Sequence, residues 1–200
     1  MKLAKSMTRY EELLEVAVDL FAANGYAGTS IRDIANTTGH SVSNVYHYFE
    51  NKEALWLAIL EYSVKGLPEE LREAASIEGP PLMRFGELVR AHLEASNRHH
   101  REIRIFFIEE ERLSAKGKRI NMQTQKAIFD VYMEQLSLLE TAGVIQGRSL
   151  RVLAFNVLGN INWYLRWHNR VPDMTTRDIH SEIIGYVLGG IAGQLPEGTM

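Results

Sequence analysis

Two hundred residues, 46% of them hydrophobic and only five of them proline, fit one compact domain or a small domain joined to a larger one, and argue against a disordered or fibrous chain. The absence of cysteine excludes disulfides, cysteine-zinc sites and thiol nucleophiles, and suits a reducing cytoplasm. A net charge of −3 offers no bulk attraction to nucleic acid, so any DNA contact must come from the placement of charges.

The N-terminus is basic and then apolar, as a secretion signal is, but Glu11, Glu12, Glu15 and Asp19 interrupt the apolar run that a signal needs. A first helix is expected over Thr8–Ala23, with Leu13, Ala17, Leu20 and Phe21 on one face and Asn24-Gly25 ending it. Ser30 followed by Asp33 reads as a capping box opening a short second helix, which Gly39 closes. Ser41 caps a third helix to about Phe49, and Asn51 caps a fourth through "KEALWLAILEYSV". Gly66 and Pro68 mark a kink or break. Longer helices follow over Leu82–Asn97, Arg101–Ser114, Arg119–Glu140 and Ser149–Asn169, with a last one near Thr175–Leu195 whose start suits Thr176 and Asp178. No run alternates as a half-buried strand would, so the fold class is all-α. "IIGYVLGGIAGQL", the longest later apolar stretch, is too short and glycine-rich to span a bilayer, so no membrane association is expected.

Ala35, Gly39 and Val45 carry the most specific spacing. Two short helices crossing steeply need a small residue at their contact, a turn residue able to take positive φ, and an apolar wedge under the next helix. Small, glycine at +4 and apolar at +10 meet those demands of a helix-turn-helix.

The surrounding "LFAANGYAGTSIRDIANTTGHSVSNVYHYFENKEAL" resembles the N-terminal domain of the TetR family of transcriptional repressors. Phe21, Gly25-Tyr26, Thr29-Ser30-Ile31, Ile34-Ala35, Gly39, Ser41, Tyr46, Tyr48-Phe49 and Lys52 carry the likeness; His40 and Ser43 depart from it. The resemblance implies a helix-turn-helix DNA-binding domain over 1–52 and a helical ligand-binding and dimerisation domain over 53–200. It also implies that Val42, Ser43 and Asn44 read bases, Asn by a bidentate contact to adenine and Val through a thymine methyl. Thr29, Ser30, Arg32, Ser41, Tyr46, His47, Tyr48 and Lys52 would hold phosphates.

One helix-turn-helix buries little surface, and such proteins pair to read half-sites about 34–36 Å apart. Gly185, Gly189 and Gly193 form a smooth strip suited to a homodimer through the two C-terminal helices. Asn156, Asn160, Trp163 and Trp167 share one helical face, and Met122, Phe129, Tyr132, Met133, Phe106 and Phe107 are candidates to line a ligand cavity with it. Such stripes also build ordinary cores; the two amides favour a cavity, because buried amides need partners. The segment "NINWYLRWHNRVPDMTTRDI" resembles, more loosely, TetR-type repressors of fatty-acid, sterol or aromatic-acid catabolism. That likeness implies an acyl-CoA effector whose phosphates Arg104, Arg148, Arg151 and Arg166 are placed to receive. The fourth helix is the expected lever between effector and DNA.

Two other readings remain open. A bundle enzyme with a di-iron centre would need Glu-x-x-His pairs, and none occurs; no phosphate loop or dinucleotide fingerprint is present either, so no cofactor, metal or catalytic residue is expected. A helical adaptor for another protein would keep the helix-turn-helix only as scaffold. Residues 1–55 carry Lys2, Lys5, Arg9, Arg32 and Lys52 against Glu11, Glu12, Glu15, Asp19, Asp33, Glu50 and Glu53, a balance that suits the adaptor.

Overall fold

The computed structural model describes residues 8–103, 111 and 113–193. Nine α-helices and no strand occur among them. In chain order these are α1 (Arg9–Gly28), α2 (Ile31–Thr38), α3 (Val42–Tyr48), α4 (Lys52–Val64), α5 (Leu67–Ala74), α6 (Pro81–Arg98), α7 (Ala115–Thr141), α8 (Leu150–Trp167) and α9 (Thr176–Ala192). None of the described helices is long and apolar enough to cross a membrane.

The chain forms two compact units, Met1–Lys65 with His99–Thr124, and Gly66–Arg98 with Gln125–Met200. In the first, Leu13, Ala17 and Phe21 of α1 meet Ile34 and Ala35 of α2, Val45 of α3, and Leu55, Trp56 and Ile59 of α4 in one buried cluster. Ala35 and Val45 are fully buried, as the helix-turn-helix spacing requires. In the second unit α5 packs on α6, α6 on α8 and α9, and α8 on α9. Leu67, Leu71, Phe85, Leu88, Ile161 and Tyr164 are among its buried side chains.

Local signals place most helix starts. Thr8, Ser30 and Thr175 each cap a helix and share a reciprocal capping box with an acid three residues on, while Ser41, Asn51 and Ser149 cap through one side-chain bond. The last helix takes its cap from Thr175, with Thr176 its first residue and Asp178 completing the box. Gly39 ends α2 at φ 69°, where His40 N–H donates to Ala35 O at 2.9 Å and Gly39 N–H to Asn36 O at 3.3 Å, a Schellman closure.

Three starts and ends differ from the sequence expectation. Gly25 breaks α1 at φ 72°, ψ 168°, a glycine conformation, yet helical residues resume to Gly28. Gly66, at φ 78°, does more than interrupt: it precedes a separate helix, α5, with Pro68 in its first turn. Helix α7 begins at Ala115, one turn before Arg119. The helix expected over Arg101–Ser114 falls mostly outside the described residues.

Candidate nucleic-acid interface

The face built by α2 and α3 is where the predicted DNA-contacting residues gather. Ser30 N–H and Oγ both donate to Asp33 Oδ2 at 2.7 Å, and these bonds hold the Asp33 carboxyl below its ordinary range. Ser30, Arg32, Ser41, Ser43 and His47 are exposed, Tyr46 is 51% exposed and Tyr48 38%. Ser41 Oγ accepts from Asn44 N–H at 3.2 Å and so fixes the first turn of α3, with its outward backbone N–H groups. Exposed tyrosines in the last turn of α3 offer hydroxyl donors and stacking faces to a phosphate backbone.

The three expected base readers are not equivalent. Ser43 is exposed; Val42 is half-buried and leans on the core cluster. Asn44 is also half-buried, and its Oδ1 is enclosed without a hydrogen-bond partner. A bidentate contact to adenine would require that amide to turn outward.

Two predicted phosphate contacts are committed to the fold. Thr29 is 1% exposed, and its hydroxyl donates to Leu20 O at 3.1 Å and Gly25 O at 3.0 Å, the carbonyls beside the break in α1. Lys52 Nζ donates to Tyr26 O at 2.7 Å and Thr29 O at 2.9 Å and lies 4.2 Å from the Tyr26 ring centre. Tyr26 in turn stacks on Trp56 of α4 at 4.3 Å. Lys52 thereby clamps the α1–α2 junction to the start of α4.

Other contributors went unnoticed in the sequence. Tyr10 of α1 lies 5.2 Å from the Phe49 ring and 6.2 Å edge-on from Tyr48, backing the end of α3. His40 Nε2 approaches Glu12 Oε2 at 3.4 Å, tying the turn between α2 and α3 to α1. These partners are 28 or more residues apart, beyond what helical spacing can signal.

In the second unit the candidate ligand residues scatter. Phe106, Phe107 and Arg104 lie outside the described residues. Tyr132 is fully buried, Phe129 and Met133 are half-buried, and Met122, in the first unit, is exposed. Asn156 and Trp163 are exposed and Asn160 and Trp167 half-buried, because α8 turns Leu153, Val157, Ile161 and Tyr164 inward instead. Asn160 donates to Asn156 O at 2.8 Å, one turn of its own helix. Arg148 donates to Gly190 O at 2.6 Å and Ile191 O at 3.1 Å, closing the end of α9. Arg151 and Arg166 lie over the Phe129 and Trp163 rings.

An open groove of about 830 Å³ runs between α6 and the start of α9, lined by residues that include Arg90, Glu94, Asn97, Arg98, Arg177 and His180. Tyr164 OH lies beneath it, 3.1 Å from His180 Nε2 and 3.4 Å from Asn97 Oδ1. Burial lowers the His180 pKa, with Glu94 opposing and Arg90 and His168 adding to the effect. Deeper, His92 Nδ1 and Tyr132 OH are 2.9 Å apart.

Residues 13–59 match the family model described as bacterial regulatory proteins of the tetR family, and residues 78–191 match that of the tetracycline-repressor-like C-terminal domain. The chain belongs to the TetR family. The HTH-type transcriptional repressor KstR2 of Mycobacterium tuberculosis is 27% identical over 190 residues, covering 92% of this chain and 93% of that one. The solved structure of that ketosteroid transcriptional regulator superposes with a TM-score of 0.79 at 25% identity, covering 95% and 98% of the two chains. AibR, solved in complex with isovaleryl coenzyme A and operator DNA, superposes with a TM-score of 0.77 at 27% identity over 90% and 97%. As a TetR-family member the chain is a helix-turn-helix, DNA-binding transcriptional regulator.

Proposed function

We propose that the protein is a cytoplasmic repressor that binds a palindromic operator as a homodimer and leaves it when a small molecule, an acyl-CoA thioester, binds the second domain. Residues 1–52 act as the DNA-binding domain and 53–200 as the ligand-binding and dimerisation domain. The exposed row that runs from Ser43 at the capped start of α3 to Tyr46, His47 and Tyr48 at its end carries the DNA reading. Ser43, with Val42 and an outward-turned Asn44, reads bases; Ser30, Arg32, Ser41, Tyr46, His47 and Tyr48 hold phosphates, and Thr29 and Lys52 support them from behind.

Dimerisation draws support from α8 and α9. Val152, Phe155 and Trp163 of α8 and Tyr186 of α9 are 57–72% exposed, and a Cβ at Gly185 or Gly189 would meet no atom within 4 Å. Large exposed apolar groups beside open glycines suit close packing against a second copy.

The acyl-CoA reading draws on AibR, whose structure holds isovaleryl coenzyme A. Tyr132, Phe129 and Met133 are the apolar candidates for the acyl chain. Arg177 edges the groove over His180 and is the candidate for phosphates there; Arg90 and Arg98 also edge it but pair with Glu87 and Glu70, as the Arg148 guanidinium is engaged with carbonyls. A gel shift with the DNA upstream of the protein's own gene, run across a salt series with and without isovaleryl-CoA and longer acyl-CoAs, tests the whole reading. Salt-dependent retardation relieved by an acyl-CoA is expected. A shift that no acyl-CoA relieves refutes the effector, and the absence of any shift refutes the operator.

A further inference from the structure

The start of α7 is capped in an unusual way. Ser114 is its N-cap, with Oγ accepting from Gly117 N–H at 3.1 Å. In the boxes at Thr8, Ser30 and Thr175, the acid three residues on returns the favour by accepting from the cap's own N–H. Position three on from Ser114 is Gly117, which has no side chain to do so. The acceptor comes from another helix: Ser114 N–H donates to Glu53 of α4 at 2.7 Å. A Cβ at position 117 would overlap the Glu53 carboxylate, so the glycine makes room for it. Leu113, just before the cap, is buried in the cluster formed by α1 to α4.

Glu53 follows Lys52, and the two neighbours reach different elements. Lys52 grips Tyr26 O and Thr29 O at the α1–α2 junction; Glu53 grips the first turn of α7. Glu53 also opposes ionisation of the Tyr26 hydroxyl beside Lys52, after the effect of burial. One turn of α4 thus joins the DNA-reading head to a helix that continues to Thr141 and carries Phe129 and Tyr132. By contrast the Arg101–Asp19 contact with α1 is an exposed ion pair of small worth.

We propose that Glu53 is a positioning residue for DNA binding: by completing the cap of α7 from α4, it couples α7 to the Lys52 clamp that sets the pose of α2 and α3. The proposal rests on the DNA-binding reading above. A helix is stiff along its axis, so a shift of α7 presents a shifted Ser114 to Glu53, and the turn holding Lys52 follows.

Three full-length variants separate coupling from simple capping. Glu53→Ala removes the acceptor; Gly117→Ala pushes it away; Glu53→Ala with Gly117→Glu restores a box inside α7 but leaves α4 unconnected. Operator affinity is read with a labelled duplex carrying the DNA upstream of the protein's own gene, and amide exchange is read on the protein alone. Both single variants should change affinity by at least about fivefold and speed exchange across Tyr26–Ser30 by roughly tenfold. The double variant should recover the melting temperature and Ser114 protection, but neither the affinity nor the slow exchange at Tyr26–Ser30. Recovery of all of these would show that Glu53 is only a cap and would overturn the proposal, as would exchange at Tyr26–Ser30 equal to wild type in both single variants. If the wild type shifts no duplex, the DNA reading fails instead, and exchange at Tyr26–Ser30 alone decides the coupling.

Discussion

His92 Nδ1 and Tyr132 OH meet at 2.9 Å inside the second unit, where both side chains are buried. Burial holds the imidazole at about 4, against an ordinary value of 6.5, and pushes the phenol upward. Above pH 6.5 His92 is neutral in both folded and unfolded chains, and the fold keeps its full stability. Below 6.5 the unfolded chain takes up a proton that the folded chain refuses until about pH 4. Stability from this group therefore falls with pH across that window, by about 3 kcal/mol in all. Urea midpoints measured from pH 7 to pH 4 should fall less in His92→Gln than in wild type; equal losses would exclude His92 as a source of acid sensitivity.

Gly39 offers a test of the turn itself. Its φ is 69°, and a Cβ there would meet nothing within 4 Å. Gly39→Ala should cost about 1–2 kcal/mol through backbone strain alone, and Gly39→Asn less. Equal stability of the alanine variant would contradict the left-handed closure of α2.

Asn44 and Tyr46 should separate reading from holding. Since Asn44 Oδ1 is enclosed and unpartnered, Asn44→Ala should leave folding stability within about 0.5 kcal/mol of wild type. On DNA it should relax preference at one or two base pairs, by about 1–3 kcal/mol each. Tyr46→Ala should weaken all sequences alike. Unchanged preference and affinity in both variants would remove α3 from the interface.

The dimer reading predicts that Phe155→Glu and Tyr186→Glu, at side chains 59% and 72% exposed, give folded monomers in sedimentation. Helical circular dichroism should persist, because both side chains are mostly exposed and the ring that Phe155 meets, Phe129 at 4.9 Å, is itself only half-buried. A dimer surviving both substitutions at micromolar concentration would place the contact elsewhere.

What could be read in the sequence was what depends on near neighbours. Ser30 with Asp33, Gly39 after α2, and the caps at Ser41 and Asn51 all act within four residues, and the structure carries each of them. The orientation of α8 was harder, because that helix is apolar around much of its circumference. Leu153, Val157, Ile161 and Tyr164 form one helical stripe, and Asn156, Asn160, Trp163 and Trp167 another; only tertiary packing decides that the first is buried. Lys52 and Arg148 find acceptors, and Glu53 a donor, 23 to 61 residues away, and no spacing rule reports such contacts. The capped helices of the helix-turn-helix were therefore legible, while the distant contacts that brace them and the orientation of α8 were not.

Gly159, Gly185, Gly189 and Gly190 lie within helices, and a Cβ at any of them would meet no atom within 4 Å. Alanine would fit each place and would strengthen its helix by about 1 kcal/mol. A lone chain thus bears weaker helices at four positions with no packing return of its own. The proposed pairing through α8 and α9 would account for their smallness, and alanine replacement should then make the isolated protomer firmer even as it holds a second copy further off.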